Sequence, residues 1–402
     1  MSPWSEGLSV GLLAVFTSGL LLSLTLTRLG FAQQRSGLDV PGTQVRKLHF
    51  NKVPRLGGVA LFLAPLFAGW MLDVAQPGTA RWLILLVGIS LPCVVAGLCE
   101  DLTARVSPQV RLAGMVLSAG LLIVIHGTVI DRIGVEPLES IAPLMAMLTL
   151  VAVLSITNGI NLIDGLNGLA GGSALLMYLA LGAVALQVGD AQIATGAFIL
   201  AGSTCGFLAW NWPRSRIFMG DAGAYFTGFT LGALSIATVQ RNTEVSPWFA
   251  VLLLAYPLTE VAFTVWRRAL GRRRPISKPD AVHLHHLVFR RVVGAAPLGS
   301  TLQGPRPEEW QQEGGLGQRH ADAAFLHRST GSLGNPHDAR NAIAGALLWC
   351  FPLGSSLLAT VYYANTAALV LCLLAFVPVY LRLYFRIAQF RTPFRLSPSR
   401  QA

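Results

Sequence analysis

Charge is what this sequence has least of. Asp, Glu, Lys and Arg make up only 12% of its 402 residues, about half the share of a soluble domain, and the mean hydropathy is +0.57. That scarcity excludes water as the main solvent of the folded chain. Cysteine is sparse too. Cys93, Cys99, Cys205, Cys350 and Cys372 stand singly, without the paired spacing of a zinc site or a disulfide framework, and read as small packing residues. No internal repeat or heptad run stands out, and no basic residue precedes the first apolar run, only Glu6. That run is too long for the core of a signal peptide, so a retained helix with its N-terminus outside is expected.

What fills the sequence instead is apolar stretches of about 20 residues, the length that crosses about 30 Å of hydrocarbon. They run over 8–30, 56–76, 81–99, 110–130, 139–157, 169–189, 191–210, 222–240, 247–266, 342–362 and 365–385. About eleven transmembrane helices in one membrane-embedded domain over 1–402 are therefore predicted, an all-α polytopic fold. The exception is 294–341, rich in Gly, Pro, Gln and His, which belongs to a long polar loop at about 268–341.

The net charge of +11 raises the question of nucleic acid, and the positions of the basic residues answer it. Arg28, Arg35, Arg46, Lys47, Lys52 and Arg55 follow span 1, Arg105 and Arg111 follow span 3, and Arg214 and Arg216 follow span 7. The block from Arg267 to Arg340 follows span 9, and Arg382 to Arg400 form the tail; only Arg81, Arg132 and Arg241 fall in the alternate loops. Basic residues mark the cytoplasmic side, so the excess is topological and not a nucleic-acid footprint. The N-terminus is expected in the periplasm and the C-terminus in the cytoplasm of a multi-pass inner-membrane protein.

Ionisable groups at membrane depth are costly and default to functional candidates, and here they gather in the expected cytoplasmic loops. Arg46-Lys47 and Pro54-Arg55-Leu56-Gly57-Gly58 join basic charge to a glycine pair at a helix start, a pattern that reads either as a phosphate cradle or as topology signal. Glu100-Asp101 are adjacent acids. They suit a divalent cation, a cationic substrate or a general base with a raised pKa, or are a solvated pair at a helix end. Asn158, Asn161, Asp164 and Asn167 recur at spacing three, so a helix through them would carry one face of oxygen ligands suited to Mg²⁺ and a phosphorylated substrate. Asp221 sits between Gly220 and Gly223, just before a span, with Phe218 upstream to stack on a base or anchor the interface. His283-Leu284-His285-His286 follows Arg272-Arg273-Arg274 and reads as a phosphate-binding patch rather than a metal site.

Taken in order, these loops resemble the polyprenyl-phosphate N-acetylhexosamine-1-phosphate transferase family, the glycosyltransferase family 4 type, across nearly the whole chain. The family implies an all-helical membrane fold and transfer of a sugar-1-phosphate from a UDP-sugar to polyprenyl phosphate, releasing UMP with Mg²⁺ (or Mn²⁺) as cofactor. Carried onto this sequence, the resemblance makes Glu100, Asp101 and Asp164 catalytic and Asn161 with Asp221 metal-binding. Lys47, Arg55, Arg111, Asn167, Phe218, His283, His285 and His286 become substrate-binding. The chain departs from the family pattern at Glu100 and Asn167, both commonly Asp, and at Ala224, commonly Ser. Asn167 argues against the phospho-N-acetylmuramoyl-pentapeptide enzyme of peptidoglycan synthesis and for lipopolysaccharide or other envelope polysaccharide initiation. A UDP-amino sugar and a polyprenyl phosphate are the implied partners, and a homodimer is left open. A proton-coupled transporter would place its acids near mid-membrane in two matching halves, and the acids here sit at one surface without evident symmetry. An acidic motif beginning at Asp164-Gly165 would suit a CDP-alcohol phosphatidyltransferase, but the rest of that motif does not follow.

Overall fold

The computed structural model describes residues 53–75, 77–78, 80–270, 283–293 and 336–389, together with 13, 16–22, 24 and the pair 38–39. A two-residue antiparallel pairing joins β1 (Leu38–Asp39) to β2 (Val53–Pro54). Everything else regular is helical. In chain order the helices are α1 (Gly57–Ala75), α2 (Arg81–Ile89), α3 (Leu91–Thr103), α4 (Pro108–Leu121, continued by a π-helical turn to His126), α5 (Glu136–Glu139) and α6 (Ala142–Ile163). There follow α7 (Leu169–Gln187), α8 (Ala191–Asn211), α9 (Gly220–Arg241), α10 (Pro247–Leu253) and α11 (Ala255–Leu270). The last are α12 (Leu284–Leu287), a π-helical turn Val288–Val293, α13 (Pro336–Leu348), α14 (Cys350–Val361) and α15 (Thr366–Ala388).

Eight helices among the described residues are long and apolar enough to cross a membrane, and two bent pairs bring the number to ten. Each coincides with one of the predicted runs from 56–76 onward; the first run, 8–30, lies largely outside the described residues. Two predicted continuous spans are corrected to bent pairs: α2 meets α3 at 46°, and α10 meets α11 at 75°. Proline explains both breaks, because its nitrogen cannot bond back one turn. Pro92 opens α3, and the Gly88 carbonyl is taken by the Ser90 N–H instead. Pro257 frees the Leu253 carbonyl, which accepts from the Ser355 hydroxyl at 3.5 Å. The polar loop also ends sooner than 341, since α13 begins at Pro336.

The centre of the fold is α9, in which every residue from Gly220 to Val239 is buried. Its small residues recur at Gly220, Ala224, Gly228 and Gly232, the spacing that lets helix backbones approach closely in a membrane. Against them pack α1, α3, α6 and α7. A Cβ on Gly228 would lie 2.5 Å from the Thr157 Cα, and one on Gly58 2.3 Å from the Gly223 nitrogen. The three arginines that broke the charge pattern are structural. Arg81 pairs with Asp73 and Arg241 with Asp190, while Arg132 donates to the Asn242 and Thr243 carbonyls beyond the C-terminus of α9.

Candidate active site

The N-terminus of α9 organises a polar cluster contributed by five segments. Gly220 turns the chain into the helix with φ +72°, and a Cβ there would strike the Asp101 carboxylate at 2.5 Å, so only glycine fits. Asp101, from the end of α3, accepts the N–H groups of Asp221 (2.9 Å) and Ala222 (3.0 Å). A carboxylate from another helix thus caps orphan donors and meets the positive end of the dipole. Arg55 Nε lies 3.4 Å from the same carboxylate. Ahead of α1, the Phe218 N–H donates to the Pro54 carbonyl, and the Gly57 and Gly58 N–H groups donate back to the Phe218 and Met219 carbonyls. That strap fixes Arg55 beside α9.

Asp221 is the most heavily bonded group of the cluster. It accepts from Arg111 Nη1 (2.7 Å), Tyr225 Oη (3.1 Å), Asn161 Nδ2 (3.2 Å) and Arg55 Nη2 (3.3 Å). The acids are enclosed, Asp101 with its side chain fully buried and Asp221 10% exposed, whereas Arg111 and Arg55 keep 25% and 33% of theirs in reach of solvent. An approaching anion therefore meets cations first. Asp164 follows the last turn of α6, its N–H bonding back to the Ile160 carbonyl. It is half-buried, and the protein enclosing its carboxyl pushes it up to about 7; Arg55 opposes that rise, and the charges of Asp221 and Asp101 add to it. Of the three aspartates it alone accepts no hydrogen bond on its carboxylate among the described residues. Asp164 is thus the uncommitted acid of the site.

The structure brings together Arg55, Asp101, Arg111, Asn161, Asp164 and Asp221 from the sequence reading. It separates others. Lys47 lies outside the described residues. Glu100 turns away from its neighbour and accepts the Val106 N–H at 2.9 Å, because consecutive helical residues point about 100° apart. The expected four-residue polar stripe is corrected, since α6 stops at Ile163 and Gly168 adopts φ +74°. Asn158 bonds within its own helix to the Leu154 carbonyl. Asn167 is buried and bonded to other partners: its N–H donates to Asn341 Oδ1 (2.6 Å) and its amide to the Pro213 carbonyl (3.1 Å). Phe218 is half-buried beside Arg55's strap. His283, His285 and His286 are buried rather than displayed as a surface patch, and they reach the site through His285, whose ring packs on Gly165 beside Asp164.

Two participants were missed in the sequence. Tyr225, one helical turn after Asp221, had a legible signal in its spacing. Asn341 had none, standing across the long loop from Asn167. Replacing Asn341 by leucine strands the buried Asn167 N–H, a loss of about 1–3 kcal/mol. The expected result is a lower unfolding temperature in detergent, with a fall in whatever activity depends on the 164–168 turn.

Comparison with known proteins agrees with this geometry. The sequence profile of glycosyl transferase family 4 matches residues 82–239, the stretch that carries Asp101, Arg111, Asn161, Asp164 and Asp221. A probable undecaprenyl-phosphate N-acetylglucosaminyl 1-phosphate transferase of Bacillus subtilis (strain 168) is 32% identical over 286 residues, 69% of this chain and 77% of the relative. The undecaprenyl-phosphate alpha-N-acetylglucosaminyl 1-phosphate transferase of Thermotoga maritima is 29% identical over 264 residues, 66% of this chain and 76% of the relative. A decaprenyl-phosphate N-acetylglucosaminephosphotransferase of Mycolicibacterium smegmatis is 27% identical over 315 residues, 71% and 74% of the two chains. With this coverage, and with the family region centred on the acid cluster, the chain belongs to glycosyl transferase family 4 and is an enzyme of the membrane sugar-phosphate transferase type.

Proposed function

We propose that the protein transfers N-acetylglucosamine-1-phosphate, or a closely related amino-sugar-1-phosphate, from its UDP-sugar to a polyprenyl phosphate. An oxygen of the lipid phosphate attacks the β-phosphorus; the new P–O bond forms as the bond to the bridging oxygen breaks, and UMP leaves with that oxygen. One observation carries the reading: enclosed Asp101 and Asp221 behind solvent-reaching Arg55 and Arg111, at the end of a buried transmembrane helix. Both substrates are anions, so the site has to bring negative charges together, and electrostatics should supply most of the rate enhancement. The names of the relatives favour N-acetylglucosamine and a polyprenyl phosphate. The charge pattern of the loops supports a cytoplasmic-facing site in the inner membrane, a position suited to initiating lipopolysaccharide or other envelope polysaccharide synthesis.

Arg55 and Arg111 are the phosphate clamps, able to shift from Asp221 to an incoming pyrophosphate. Asp101 has both oxygens committed to α9 and holds the helix start in place. Asp164, the uncommitted acid, is our candidate for taking a proton from the lipid phosphate. Asn161 stands beside Asp221, its Nδ2 donating to that carboxylate at 3.2 Å, so the Asp221 carboxylate and the Asn161 amide oxygen would be the donors to an ion, and no group of three or more His, Cys, Asp or Glu ligands occurs among the described residues. That fits Mg²⁺, which takes one or two carboxylates and fills its shell with phosphate oxygens and water. When bound there, the ion would neutralise pyrophosphate charge. A cavity of about 270 Å³ beside the α10–α11 break is lined by Ile156, Ile236, Val251, Leu254 and Leu258 and runs from there to Asp131 and Arg132, away from the acid cluster. It suits an isoprenoid tail, and Ile156 lies about 7.5 Å along α6 from Asn161.

The test is UMP release by the detergent-purified protein with undecaprenyl phosphate, Mg²⁺ and a panel of UDP-amino sugars. Release that requires both lipid and metal, and is fastest with UDP-N-acetylglucosamine, is expected. A folded, monodisperse sample that releases no UMP with any sugar would overturn the assignment.

A further inference from the structure

A second buried carboxylate lies outside the acid cluster. Glu260 sits in α11, just past the Pro257 break, and is 1% exposed. Its Oε2 is 3.5 Å from Nδ1 of His283, which is 4% exposed. Tyr256, on the same helix, and Tyr380, from α15, are the other polar groups whose electrostatics it reaches. Among the described residues its one ion-pair partner is His283. Enclosing a carboxylate costs several kcal/mol unless a partner is held in place, and an acid inside a membrane span is by default a functional candidate. The packing of α12 supplies a route from this pair to the site. His283 stands at the head of α12. Its ring lies parallel to that of His285, with centroids 5.7 Å apart and 6° between planes, and His285 meets His286 at 4.2 Å. The far side of His285 fits so closely on Gly165 that a Cβ there would lie 2.3 Å from Nε2.

We propose that Glu260 is a positioning residue of the transferase: it fixes the ring of His283 and, through the stacked histidines, seats His285 against the turn that carries Asp164. The inference rests on that turn belonging to the active site. Glu260 itself touches no substrate. Oε2 faces Nδ1 at 3.5 Å, and no hydrogen bond to that buried nitrogen forms among the described residues, so the carboxylate orients the ring by standing opposite Nδ1, the side of an imidazole that a buried acid commonly occupies. The segment 283–287 also packs on α13 and α15 through buried Leu284 and Leu287, so the Glu260 contact sets the orientation of the His283 ring within a segment already held in place.

The experiment compares Glu260→Gln, Glu260→Met, His283→Ala, His283→Asn and the double variant Glu260→Met/His283→Ala, each purified as the full chain. Kinetics are measured with UDP-N-acetylglucosamine and undecaprenyl phosphate. Gln keeps an acceptor and Met keeps the volume without one, so the expected losses in kcat/KM are within about threefold for Gln and about tenfold or more for Met. Asn at 283 places an N–H near the position of Nδ1 and should retain most of the activity that His283→Ala loses. The double variant should be no worse than His283→Ala alone. Equal rates for wild type and Glu260→Met, additive losses in the double variant, or His283→Asn as impaired as His283→Ala would each overturn the proposal. Should the Met protein fail to fold, the two His283 variants with Glu260→Gln still decide it. Failure of the underlying reading is separate, because it appears in the unsubstituted protein as absent UMP release. The Glu260–His283 contact is then read from non-additive shifts in unfolding temperature across the Gln, Ala and combined variants, and additive shifts would overturn it.

Discussion

Replacing Asp221 by alanine is expected to lower transfer on the order of a thousandfold or more, in line with removing a principal electrostatic group from a preorganised site. The size of the effect follows from four hydrogen bonds converging on one carboxylate. Without it, Arg55 and Arg111 confront each other across a vacated space, and Asn161 and Tyr225 lose their shared acceptor. Uncompensated charge in an enclosed site costs about 3–5 kcal/mol, so the unfolding temperature should fall too. Asp221→Asn separates the two consequences. The amide retains volume and one acceptor, so it should restore part of the stability while leaving transfer close to the alanine level, because a neutral side chain supplies neither the charge for a cation nor the counter-charge that holds the arginines. Transfer by a folded Asp221→Asn protein at more than a tenth of the normal rate would remove Asp221 from the centre of the mechanism.

Gly58→Val should destroy the site without touching a single charged residue. The ideal Cβ of Gly58 falls 2.3 Å from the Gly223 nitrogen and 2.8 Å from the Ala222 carbonyl carbon. Both neighbours are backbone, which cannot rotate aside as a side-chain tip would. Overpacking of a tight core costs about 1–3 kcal/mol, and more where nothing yields. Here the only relief is to separate α1 from α9, which also opens the strap holding Arg55 against Asp101 and Asp221. The expected outcome is loss of transfer together with a marked drop in unfolding temperature or yield of monodisperse protein. Gly19, which has nothing within 4 Å of an added Cβ, is the control: alanine there should leave both measurements unchanged.

The helices were legible because a span in lipid has to be apolar over about 20 residues, and few soluble patterns imitate that. The acids were legible for the complementary reason: Asp101, Asp164 and Asp221 stand out at the ends of runs that carry almost no other charge. Helical phase at the site was not. Asp101 faces α9 and Glu100 does not because Gly97, one turn earlier, lets the backbone of α3 lie directly on Ala222, with 2.5 Å from an added Cβ to its nitrogen; that is a tertiary contact. The spacing-three stripe from Asn158 to Asn167 misled because it assumed a helix as far as Asn167, whereas the helix stops at Ile163 and Asp164 already leaves helical geometry with ψ +56°. Asn167 then serves the turn by holding Asn341 and Pro213. The histidines suggested a phosphate patch by their basic neighbourhood, yet their segment is packed by α13 and α15, far away in sequence. Glu260 escaped notice because it lies inside a span rather than at its end, and its partner His283 lies within the polar loop.

The central claim is that the bond broken lies between the β-phosphorus and the oxygen that leaves with UMP. The most direct test supplies the purified protein with undecaprenyl phosphate and UDP-N-acetylglucosamine radiolabelled in its β-phosphate, and follows where the label goes. The account predicts label in the lipid, attached to the sugar through a diphosphate, with unlabelled UMP formed one for one. Label left in UDP, with the sugar alone on the lipid, would show attack at the sugar carbon and contradict the account.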